Sequence, residues 1–453
     1  MMINVGLLKK QILGLAFSGK LTEHNSNESS NDLIDKLFKN KQKKYASFSH
    51  ELVNFEIPPN WNWCMTYQAV SLDNGTESEG ELLPYLEVKY LRNGKEPKII
   101  NSGVIVDKGE KLILVDGENS GEVFLANDRG YKGSTLKILN ISNAFIDKYI
   151  FLFIYSCKEG FRKNKTGAAI PHLDKKMLFE TPLPIPPLEE QKRIVAKLDE
   201  IFAELDKIDE KQIKLETIQE KMEAKILKLA IQGKLVDQRP EEGTGEDLFR
   251  LIQQEKQQLI KEGKIKKEKL LPAIEDSEIP FEIPPTWKWV RLDQIVYNHG
   301  QKTPDTVFSY IDIGSIDNIN NRLNKEENII KPENAPSRAR KVVFNGDIVY
   351  STVRPYLHNI AIIDKKFSEE PIASTGFAIL SCTNGVINKY LFRCLLSSYF
   401  DNYANKDGNA KGVMYPAISD DKLSKALIPL PPLEEQKRIV AKIEELLPLC
   451  RGN

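Results

Sequence analysis

The chain has few of the residues that build disulfide frameworks and metal clusters. Its 453 residues include only five cysteines and five histidines. The cysteines are scattered without a Cys-x-x-Cys pair, which predicts free thiols in a reducing compartment. The histidines are equally dispersed, so the sequence predicts no metal site. These absences exclude a small secreted scaffold stapled by disulfides.

Long apolar runs and a leader segment are also lacking. No run approaches the roughly 20 apolar residues that a membrane-spanning helix needs. The N-terminus has no signal-peptide pattern and soon becomes basic and helical. We therefore expect a cytoplasmic protein.

The chain has no excess of positive charge. Lys and Arg number 64, and Asp and Glu also number 64. A protein that bound DNA by overall charge alone would be basic. If this chain binds DNA, the positive charge must be local or supplied in part by a partner.

Signatures of catalysis are absent too. The segment Gly14–Leu21 resembles a phosphate-binding loop, but it has Leu21 where magnesium binding needs Ser or Thr. No apolar strand precedes it, so we interpret it as a helix that ends at a capping glycine. An enzyme built on this segment has little support. The sequence also lacks an Asp/Asn-Pro-Pro-Tyr methyltransferase motif and a glycine-rich cofactor loop.

What the chain does contain is a tandem repeat. Pro-Pro-Leu-Glu-Glu-Gln-Lys-Arg-Ile-Val-Ala-Lys occurs identically at Pro186–Lys197 and Pro431–Lys442. A tryptophan motif, Phe-Glu-Ile-Pro-Pro-x-Trp-x-Trp, occurs at Phe55–Trp63 and Phe281–Trp289 and holds all four tryptophans. A weaker pair, Gln11–Leu21 and Lys225–Leu235, is offset by 214 residues. The offset is 226 at the tryptophan motif and 245 at the duplicate, so the intervening stretch is 19 residues longer in the second copy.

The segment after the first duplicate predicts one long helix. Pro187 suits the first helical position, and Gly233 suits the residue after the last turn. Steps of four and three give a coiled-coil seam in which nine of eleven residues are apolar: Ile194, Leu198, Ile201, Leu205, Ile208, Gln212, Leu215, Gln219, Met222, Ile226 and Leu229. From Leu188 to Ile231 the helix would extend roughly 66 Å. A helix of that length needs a partner along its seam.

The two termini together nearly rebuild a second copy of this helix, and Pro448 is expected to stop the C-terminal piece early. We predict an α+β fold in which two mixed α/β domains are separated by a long antiparallel, coiled-coil-like helical pair, in a pseudo-twofold circular arrangement. The predicted segments are a helix fragment at 1–22, a linker with a short helix at 23–54, a first variable domain at 55–186, a central helix with a following helix at 187–265, a second variable domain at 281–431 and a helix fragment at 432–453.

The order, spacing and duplication of these motifs strongly resemble the specificity subunit (HsdS) of type I restriction-modification systems, over essentially the whole chain. The resemblance implies two target recognition domains, each reading one half of a split, asymmetric double-stranded DNA site. It implies conserved helices that set the spacer and dock two methyltransferase subunits, and through them restriction subunits. It implies no cofactor in this chain, with S-adenosylmethionine, ATP and Mg²⁺ used by the partner subunits. The docking residues expected on the duplicated helices are Glu190, Gln191, Arg193, Glu435, Gln436 and Arg438.

Basic and aromatic clusters in the variable domains are the candidate DNA contacts, because Arg and Lys bind phosphate and guanine. The candidates of the second domain are Arg338, Arg340, Lys341, Arg354, Tyr356 and Lys411. Those of the first domain are Lys89, Tyr90, Arg92, Arg129, Tyr131, Lys132, Arg162, Lys163 and Lys165. For any one of them, a solvated surface position fits the sequence as well as a DNA contact does, so the clusters carry the prediction.

Three points stay open at this stage. The Trp-x-Trp pairs could stack on bases, but a role in the core at the entry to each domain fits a motif that both copies share. The basic runs Lys39–Lys44 and Lys261–Lys269 suit solvated helix ends near the linkers, with weak phosphate contact as the alternative. A coiled-coil assembly scaffold without sequence-specific DNA binding is the alternative function.

Overall fold

The computed structural model describes residues 2–39, 55–94, 96–163, 171–266, 271–406, 409–411 and 416–451. The chain forms two compact units, Met1–Lys214 and Leu215–Asn453. Each unit contains one variable domain together with helices from the conserved segments. Most of the basic run Lys39–Lys44, the end of the run Lys261–Lys269, and Lys165 lie outside the described residues.

Unit 1 combines eight helices with nine strands among the described residues. Its helices are α1 (Val5–Phe17), α2 (Asn31–Lys39), α3 (Thr66–Ala69), α4 (Val88–Asn93), α5 (Asp147–Ser156), α6 (Lys158–Lys163), α7 (Lys175–Glu180) and the beginning of α8 (Leu188–Ile231). Its strands are β1 (Asn62–Met65), β2 (Val70–Asp73), β3 (Glu77–Leu86), β4 (Ile99–Val106), β5 (Lys111–Leu114), β6 (Val123–Leu125), β7 (Gly130–Lys132), β8 (Leu136–Ile141) and β9 (Pro182–Ile185).

Unit 2 takes the remainder of α8 and has a larger set of short strands. Its other helices are α9 (Gly245–Lys261), α10 (Leu292–Ile295), α11 (Asn388–Leu395), α12 (Ser398–Asn405), α13 (Asp420–Ser424) and α14 (Leu433–Arg451). Its strands are β10 (Lys288–Arg291), β11 (Val296–Tyr297), β12 (Phe308–Ile311), β13 (Ile316–Asp317), β14 (Arg322–Leu323), β15 (Ile329–Ile330), β16 (Ala339–Val342), β17 (Ile348–Ser351), β18 (Ile360–Ile362), β19 (Glu370–Ser374), β20 (Phe377–Cys382), β21 (Ala410–Lys411), β22 (Ala417–Ile418) and β23 (Leu427–Leu430).

Both variable domains contain the same framework. A four-stranded antiparallel sheet has the order β2-β8-β5-β6 in the first domain and β11-β20-β17-β18 in the second. A two-stranded antiparallel ladder, β1 with β9 and β10 with β23, joins the beginning of each domain to its end. The framework is therefore a property of the repeat, and the α/β character predicted for both domains is confirmed.

The strands outside this framework differ between the domains. The first domain adds the small closed arrangement β3-β4-β7, whereas the second adds the sheet β15-β12-β19-β16 and the hairpin β13-β14. These additions lie between the shared strands in the sequence. Because the two variable domains differ in these added strands, they can share one framework although the second is 19 residues longer.

Helix α8 begins and ends where the sequence predicts. The amide of Gln191 donates to the carbonyl of Pro187 at 2.9 Å, which closes the first turn. At the other end Gly233 has a φ of +67°, and the amide of Lys234 donates back to the carbonyl of Leu229 at 2.9 Å. This is the geometry of a left-handed C-terminal cap. The same cap ends α1 at Gly19, where φ is +72°, so the interpretation of Gly14–Leu21 as a capped helix is confirmed.

Each unit pairs α8 with an antiparallel terminal helix. In unit 1, the amide of Ile3 donates to Gln212 Oε1 at 2.7 Å, while Lys9 forms an ion pair with Asp206. In unit 2, Arg451 at the end of α14 pairs with Glu223, Nε to Oε1 at 2.7 Å. The prediction that Pro448 stops this last helix early is wrong, because α14 continues through Pro448 to Arg451. The buried side chains of Leu447 and Cys450 hold the last turn against the core.

The predicted seam of α8 is buried in the first half of the helix, where Ile194 and Leu198 are fully buried and Leu205 is 8% exposed. Near the other end the buried residue is Leu227, which lies next to the predicted seam position Ile226. By contrast, Leu215 and Met222 are 50% and 48% exposed, so their predicted place in a buried seam is wrong. Among the polar contacts of the terminal segments with α8, one is at Gln212 in unit 1 and one, that of α14, is at Glu223 in unit 2.

Candidate nucleic-acid interface

A buried hydrogen bond joins the tryptophan motif to the duplicated motif in unit 1. The indole Nε1–H of Trp61 donates to Glu190 Oε2 at 2.9 Å. The other carboxylate oxygen of Glu190 lies 2.6 Å from His24 Nδ1. Trp61 is 4% exposed and Glu190 is fully buried. We call this group the Trp–Glu clamp, because it ties the residues before the variable domain to the helix after it.

The same clamp recurs in unit 2 with one change. Trp287 Nε1 donates to Glu435 Oε2 at 2.9 Å, and Gln238 Nε2 takes the place of the histidine by donating to Glu435 Oε1 at 2.5 Å. Burial raises the pKa of Glu435 above its ordinary value. The predicted core role of these tryptophans at the domain entry is confirmed for Trp61 and Trp287.

The neighbouring glutamines fasten each helix to its own variable domain. Gln191 Oε1 accepts from the amide of Ile146 at 2.9 Å, and Gln436 Oε1 accepts from the amide of Ile387 at 2.9 Å. Both glutamine side chains also donate to carbonyl groups and are fully buried. Because the side-chain amides of both glutamines are hydrogen-bonded inside their own unit, these residues of the duplicated motif have a structural role.

This result corrects the predicted docking residues. Glu190, Gln191, Glu435 and Gln436 are at most 1% exposed, so their side chains cannot contact a partner subunit. The two arginines of the motif are half-buried and engaged in bidentate pairs: Arg193 with Glu28 at 2.9 and 3.0 Å, and Arg438 with Glu242 at 2.7 and 2.9 Å. The hydrogen bond from Arg193 lowers the pKa of Glu28. Exact repetition of the motif therefore reflects the clamp.

In the first domain, the basic and aromatic patch near α4 is held by acidic neighbours. Arg92 forms a bidentate pair with Glu122, and the hydroxyl of Tyr90 donates to Asp128. This hydrogen bond raises the pKa of Tyr90. Lys89 is exposed on the same helix. Among the residues that the structure describes, no acidic side chain pairs with Lys89 in this way.

The candidates around β7 are likewise bonded to neighbouring groups of the same domain. Arg129 is exposed but pairs with Asp107 and with Glu81, the latter at 3.3 Å. Tyr131 is fully buried, and its hydroxyl donates to the carbonyl of Glu81 at 3.0 Å. Its predicted contact with DNA is therefore wrong, because alternation along β7 directs the ring into the core. Lys132 Nζ donates to the carbonyl of Leu136 at 2.8 Å, and burial lowers its pKa.

The third group of the first domain lies at the end of α6. Arg162 is half-buried and shares Glu122 with Arg92, at 3.4 Å from Nη2 to Oε2. Lys163 is exposed at the last residue of the helix. The structure thus brings Arg92 and Arg162, 70 positions apart in the sequence, to one carboxylate. That carboxylate neutralises part of the charge that the sequence alone would assign to a DNA contact.

In the second domain, the structure brings three of the candidates to one edge of the framework sheet. The amide of Thr375 donates to the carbonyl of Arg338 at 2.8 Å, and the next residue, Gly376, accepts from the amide of Thr352 at 3.0 Å. Arg354 and Tyr356 follow directly in the chain. Arg338 and Tyr356 are exposed, so this edge joins a basic side chain to an aromatic one, as the clusters predict.

The other candidates of this domain are less accessible. Arg340 is half-buried, and its Nη1 donates to the carbonyl of Ala339 at 2.7 Å. Lys341 is half-buried in β16. The backbone of Lys411 lies in β21, which pairs with β22, and β22 forms a bridge with Val353. The backbone of Lys411 therefore lies near the same edge of the framework sheet.

Two residues at this edge were missed by the sequence analysis. Ile319, in the turn between β13 and β14, is 83% exposed, and the adjacent Asn318 donates from Nδ2 to the carbonyl of Leu357 at 2.9 Å. His358 pairs with Asp401 of α12, Nε2 to Oδ1 at 2.8 Å, which raises the pKa of the histidine. No local sequence signal marks either residue, since both contacts join segments about 40 residues apart.

In the described ranges, no group of three or more His, Cys, Asp or Glu side chains is placed to hold a metal ion. Within those same ranges, no helix has the length and apolar character to cross a bilayer. The features that stand out are the two clamps and the loops that the framework sheets present.

The family model for the type I restriction modification DNA specificity domain matches residues 70–217 and 284–449. These two segments make up more than half of the chain, which therefore belongs to the family of type I restriction-modification DNA specificity subunits. Each match covers most of one variable domain and most of the helix that follows it. As a specificity subunit, the chain is a non-catalytic component of a restriction-modification complex.

Relatives of known name support the same assignment. The type I restriction enzyme EcoAI specificity subunit of Escherichia coli is 27% identical, over 98% of this chain and 89% of the relative. The MjaVIII specificity subunit of Methanocaldococcus jannaschii is 30% identical, over 83% of this chain and 81% of the relative. A solved chain from work on complex assembly and conformational transition of the type I R-M system has a TM-score of 0.54 at 18% identity, covering 88% of this chain and 93% of that one. This last likeness concerns the fold.

Proposed function

We propose that each variable domain reads one half of a bipartite, asymmetric site in double-stranded DNA. The observation that carries this proposal is that one framework sheet and one clamp occur twice, while the strands and loops added to them differ. Identical readers would select identical half-sites. Domains that share a support but not a surface select different ones, so the site is asymmetric.

The assembly proposed around this chain has two methyltransferase subunits and, through them, restriction subunits. Because Glu190, Gln191, Glu435 and Gln436 are buried, the docking surface consists of other, exposed positions of the conserved helices. The chain itself holds no cofactor, and its partners use S-adenosylmethionine, ATP and Mg²⁺. A cytoplasmic location stays a prediction.

The experiment that tests the proposed function is a genome-wide map of methylated adenines in cells with and without this chain. We expect one split, asymmetric motif to be lost when the chain is removed and restored when it is supplied again. An unchanged map would contradict the proposal. It would then favour the alternative of an assembly scaffold without sequence-specific DNA binding.

The continuity of α8 supports a second part of the proposal, that this helix sets the spacer between the half-sites. Deleting one heptad shortens a helix by about 10 Å, which corresponds to about three base pairs of DNA. We expect such a deletion to shorten the spacer of the methylated motif and to leave the bases of both halves unchanged. The control replaces the same seven residues by alanine, which keeps the helix length. An unchanged spacer in the deletion variant would contradict this part.

The neutral net charge leads to a prediction about affinity. DNA binding gains much of its free energy from the neutralisation of phosphates, and this chain carries no excess of positive charge. We expect the isolated chain to bind its site much more weakly than the complete assembly does. Titration of one labelled DNA fragment with each, at the same salt concentration, gives the comparison.

A further inference from the structure

One loop of the framework has the same backbone hydrogen bonds in both domains. In the first domain it follows β5 and spans residues 115–121, and in the second it follows β17 and spans residues 352–358. Three hydrogen bonds of the first loop each have a counterpart in the second, and all six are between 2.7 and 3.1 Å long. In the first loop the amides of Val115, Gly117 and Ser120 donate to the carbonyls of Thr135, Pro171 and Gly117, respectively. In the second loop the amides of Thr352, Arg354 and Leu357 donate to the carbonyls of Gly376, Pro416 and Arg354. The two loops are therefore equivalent, although their sequences have diverged.

This loop needs a positive φ at two positions. In the first domain both positions are glycines, Gly117 with a φ of +109° and Gly121 with a φ of +94°. Glycine adopts such angles without a steric penalty. In the second domain the same positions are Arg354 and His358, each with a φ of +50°. The second domain thus keeps two large side chains where the backbone favours glycine.

Strain of this kind is concentrated at one place. Of the non-glycine residues that the structure describes, three have a positive φ, and the third is Asn321 at +50°. Its Nδ2 donates to the carbonyl of His358 at 2.9 Å. All three strained residues therefore belong to one connected group. Such strain persists where the surroundings over-determine the conformation, and it clusters at functional sites.

We propose that the loop Arg354–His358 carries part of the base specificity of the second domain, with Arg354 and His358 as specificity-determining residues that the strained backbone presents to DNA. This inference rests on the proposed function and deepens it. It also implies that the first domain, with glycines at both positions, reads its half-site through other residues.

The surroundings of the loop suit a nucleic-acid duplex. Tyr356, between the two strained residues, is 49% exposed, and Ile319 beside them is 83% exposed. An exposed aliphatic side chain next to a polar loop can contact a thymine methyl group, and Arg can bind guanine through two hydrogen bonds. Lys406, at the end of α12, adds an exposed positive charge, since α12 packs against the loop.

Two acidic groups near the loop have hydrogen-bonding or ionic partners of their own. Asp401 accepts from His358, and its second partner is Asn405, Nδ2 to Oδ1 at 2.8 Å. Asp317, in the neighbouring turn, pairs with Arg322 at 3.4 Å. Asp401 and Asp317 are thus engaged within the domain, and the exposed side chains of Tyr356 and Lys406 together with Arg354 give this edge a basic and aromatic character.

The substitutions Arg354→Gly and His358→Gly test the inference, because they give the second domain the residues of the first. Each removes a side chain and relieves backbone strain at the same time. Lys366→Gly is the matched control. It also replaces one basic residue by glycine, in the exposed segment after β18, at the opposite end of the framework sheet.

The measurement uses the full chain assembled with its methyltransferase subunits. The methylation map of the wild type gives the site, and binding is then measured to that site and to fragments with one base pair changed at a time. We expect both loop variants to lose about tenfold in discrimination at one or more positions of the half-site read by the second domain. Discrimination in the other half-site, and all values for Lys366→Gly, should stay as in the wild type.

Stability provides a second measurement. We expect thermal unfolding of Arg354→Gly to occur at or above the wild-type temperature, because glycine relieves the strain, whereas His358→Gly also loses the hydrogen bond to Asp401. If either variant fails to assemble, Arg354→Asn and His358→Asn replace it, since asparagine tolerates a left-handed backbone.

Wild-type discrimination at every position in both loop variants would overturn the inference while leaving the proposed function intact. Failure of the proposed function gives a different result, namely no split motif in the wild-type map.

Discussion

Trp61 and Glu190 lie 129 residues apart in the sequence, yet the indole of the first donates to the buried carboxylate of the second at 2.9 Å. Trp287 and Glu435, 148 residues apart, have the same contact at the same distance. The two motifs that repeat in the sequence are therefore two sides of one hydrogen bond. This explains why they repeat together while the residues between them diverge.

The hydrogen bond of the clamp can be tested with a matched pair of tryptophan substitutions. Trp287→Phe removes the donor to Glu435 and leaves a buried carboxylate short of one partner, which costs about 1–3 kcal/mol of unfolding free energy. Trp289→Phe makes the same chemical change, but Trp289 Nε1 has no hydrogen-bond partner in the described part of the chain. We expect urea unfolding of unit 2 to shift markedly for the first variant and little for the second. Equal shifts would show that ring volume alone matters.

The carboxylates of the clamp region should give opposite pH dependences. Burial raises the pKa of Glu435 above its ordinary 4.5, so the folded state binds this proton more tightly than the unfolded chain does. The resulting stability is present below pH 4.5 and is lost as the pH rises through the folded-state pKa. Relative to Glu435→Gln, the wild type should therefore lose unfolding free energy from pH 4 to pH 7.

Glu28 provides the comparison, because its pKa is lowered by the hydrogen bond from Arg193. Its contribution is present above pH 4.5 and is lost as the pH falls through the folded-state pKa. The difference between the wild type and Glu28→Gln should therefore shrink as the pH falls below 4.5. Denaturant unfolding at a series of pH values measures both differences, and equal signs would contradict the assignment.

The capping glycines lead to a steric prediction. A Cβ on Gly19 would lie 2.3 Å from Pro58 Cγ, and one on Gly233 would lie 2.3 Å from Pro284 Cγ, in addition to the left-handed φ at both positions. We expect Gly19→Ala and Gly233→Ala to lower the unfolding free energy by more than about 1 kcal/mol. Gly14→Ala, within α1, meets no atom within 4 Å. That control should raise it by about 0.5–1 kcal/mol, because alanine favours a helix.

The uneven burial of α8 predicts that equivalent positions of the heptad differ in importance. Ile194→Ala removes a fully buried side chain and should cost about 2–5 kcal/mol. Leu215→Ala, at an exposed position of the same predicted seam, should change the unfolding free energy by about 0.5 kcal/mol or less. Thermal unfolding of the two variants compares them directly. A large loss for the second would indicate that the middle of the helix is covered in solution.

The repeat made the scaffold predictable, and the absence of a repeat limited the prediction of the site. Both ends of α8, its capping glycine and the core role of the tryptophans follow from local patterns that occur twice. The predicted seam of α8 is longer than the buried one, because periodicity shows that a helix face is apolar but does not show where the partner helix ends. The buried state of Glu190 and Gln191 was missed because charged and amide residues next to Lys192 suggest a surface. The glycine turns Gly109 and Gly346 indicate in the sequence that the stretches after them correspond, but those stretches diverge, and the backbone hydrogen bonds show that Gly117 and Arg354 occupy the same loop position.

The ladders at the base of each variable domain have a topological consequence. Met65 pairs with Pro182, and Arg291 pairs with Leu427, so the two ends of each domain are fixed about 5 Å apart. The chain between them is a closed loop anchored at a single point. Residues can be inserted into it or removed from it without a change in the register of the helix that follows. The protein can therefore acquire a new surface by changes confined to that loop, while its conserved helices keep their geometry.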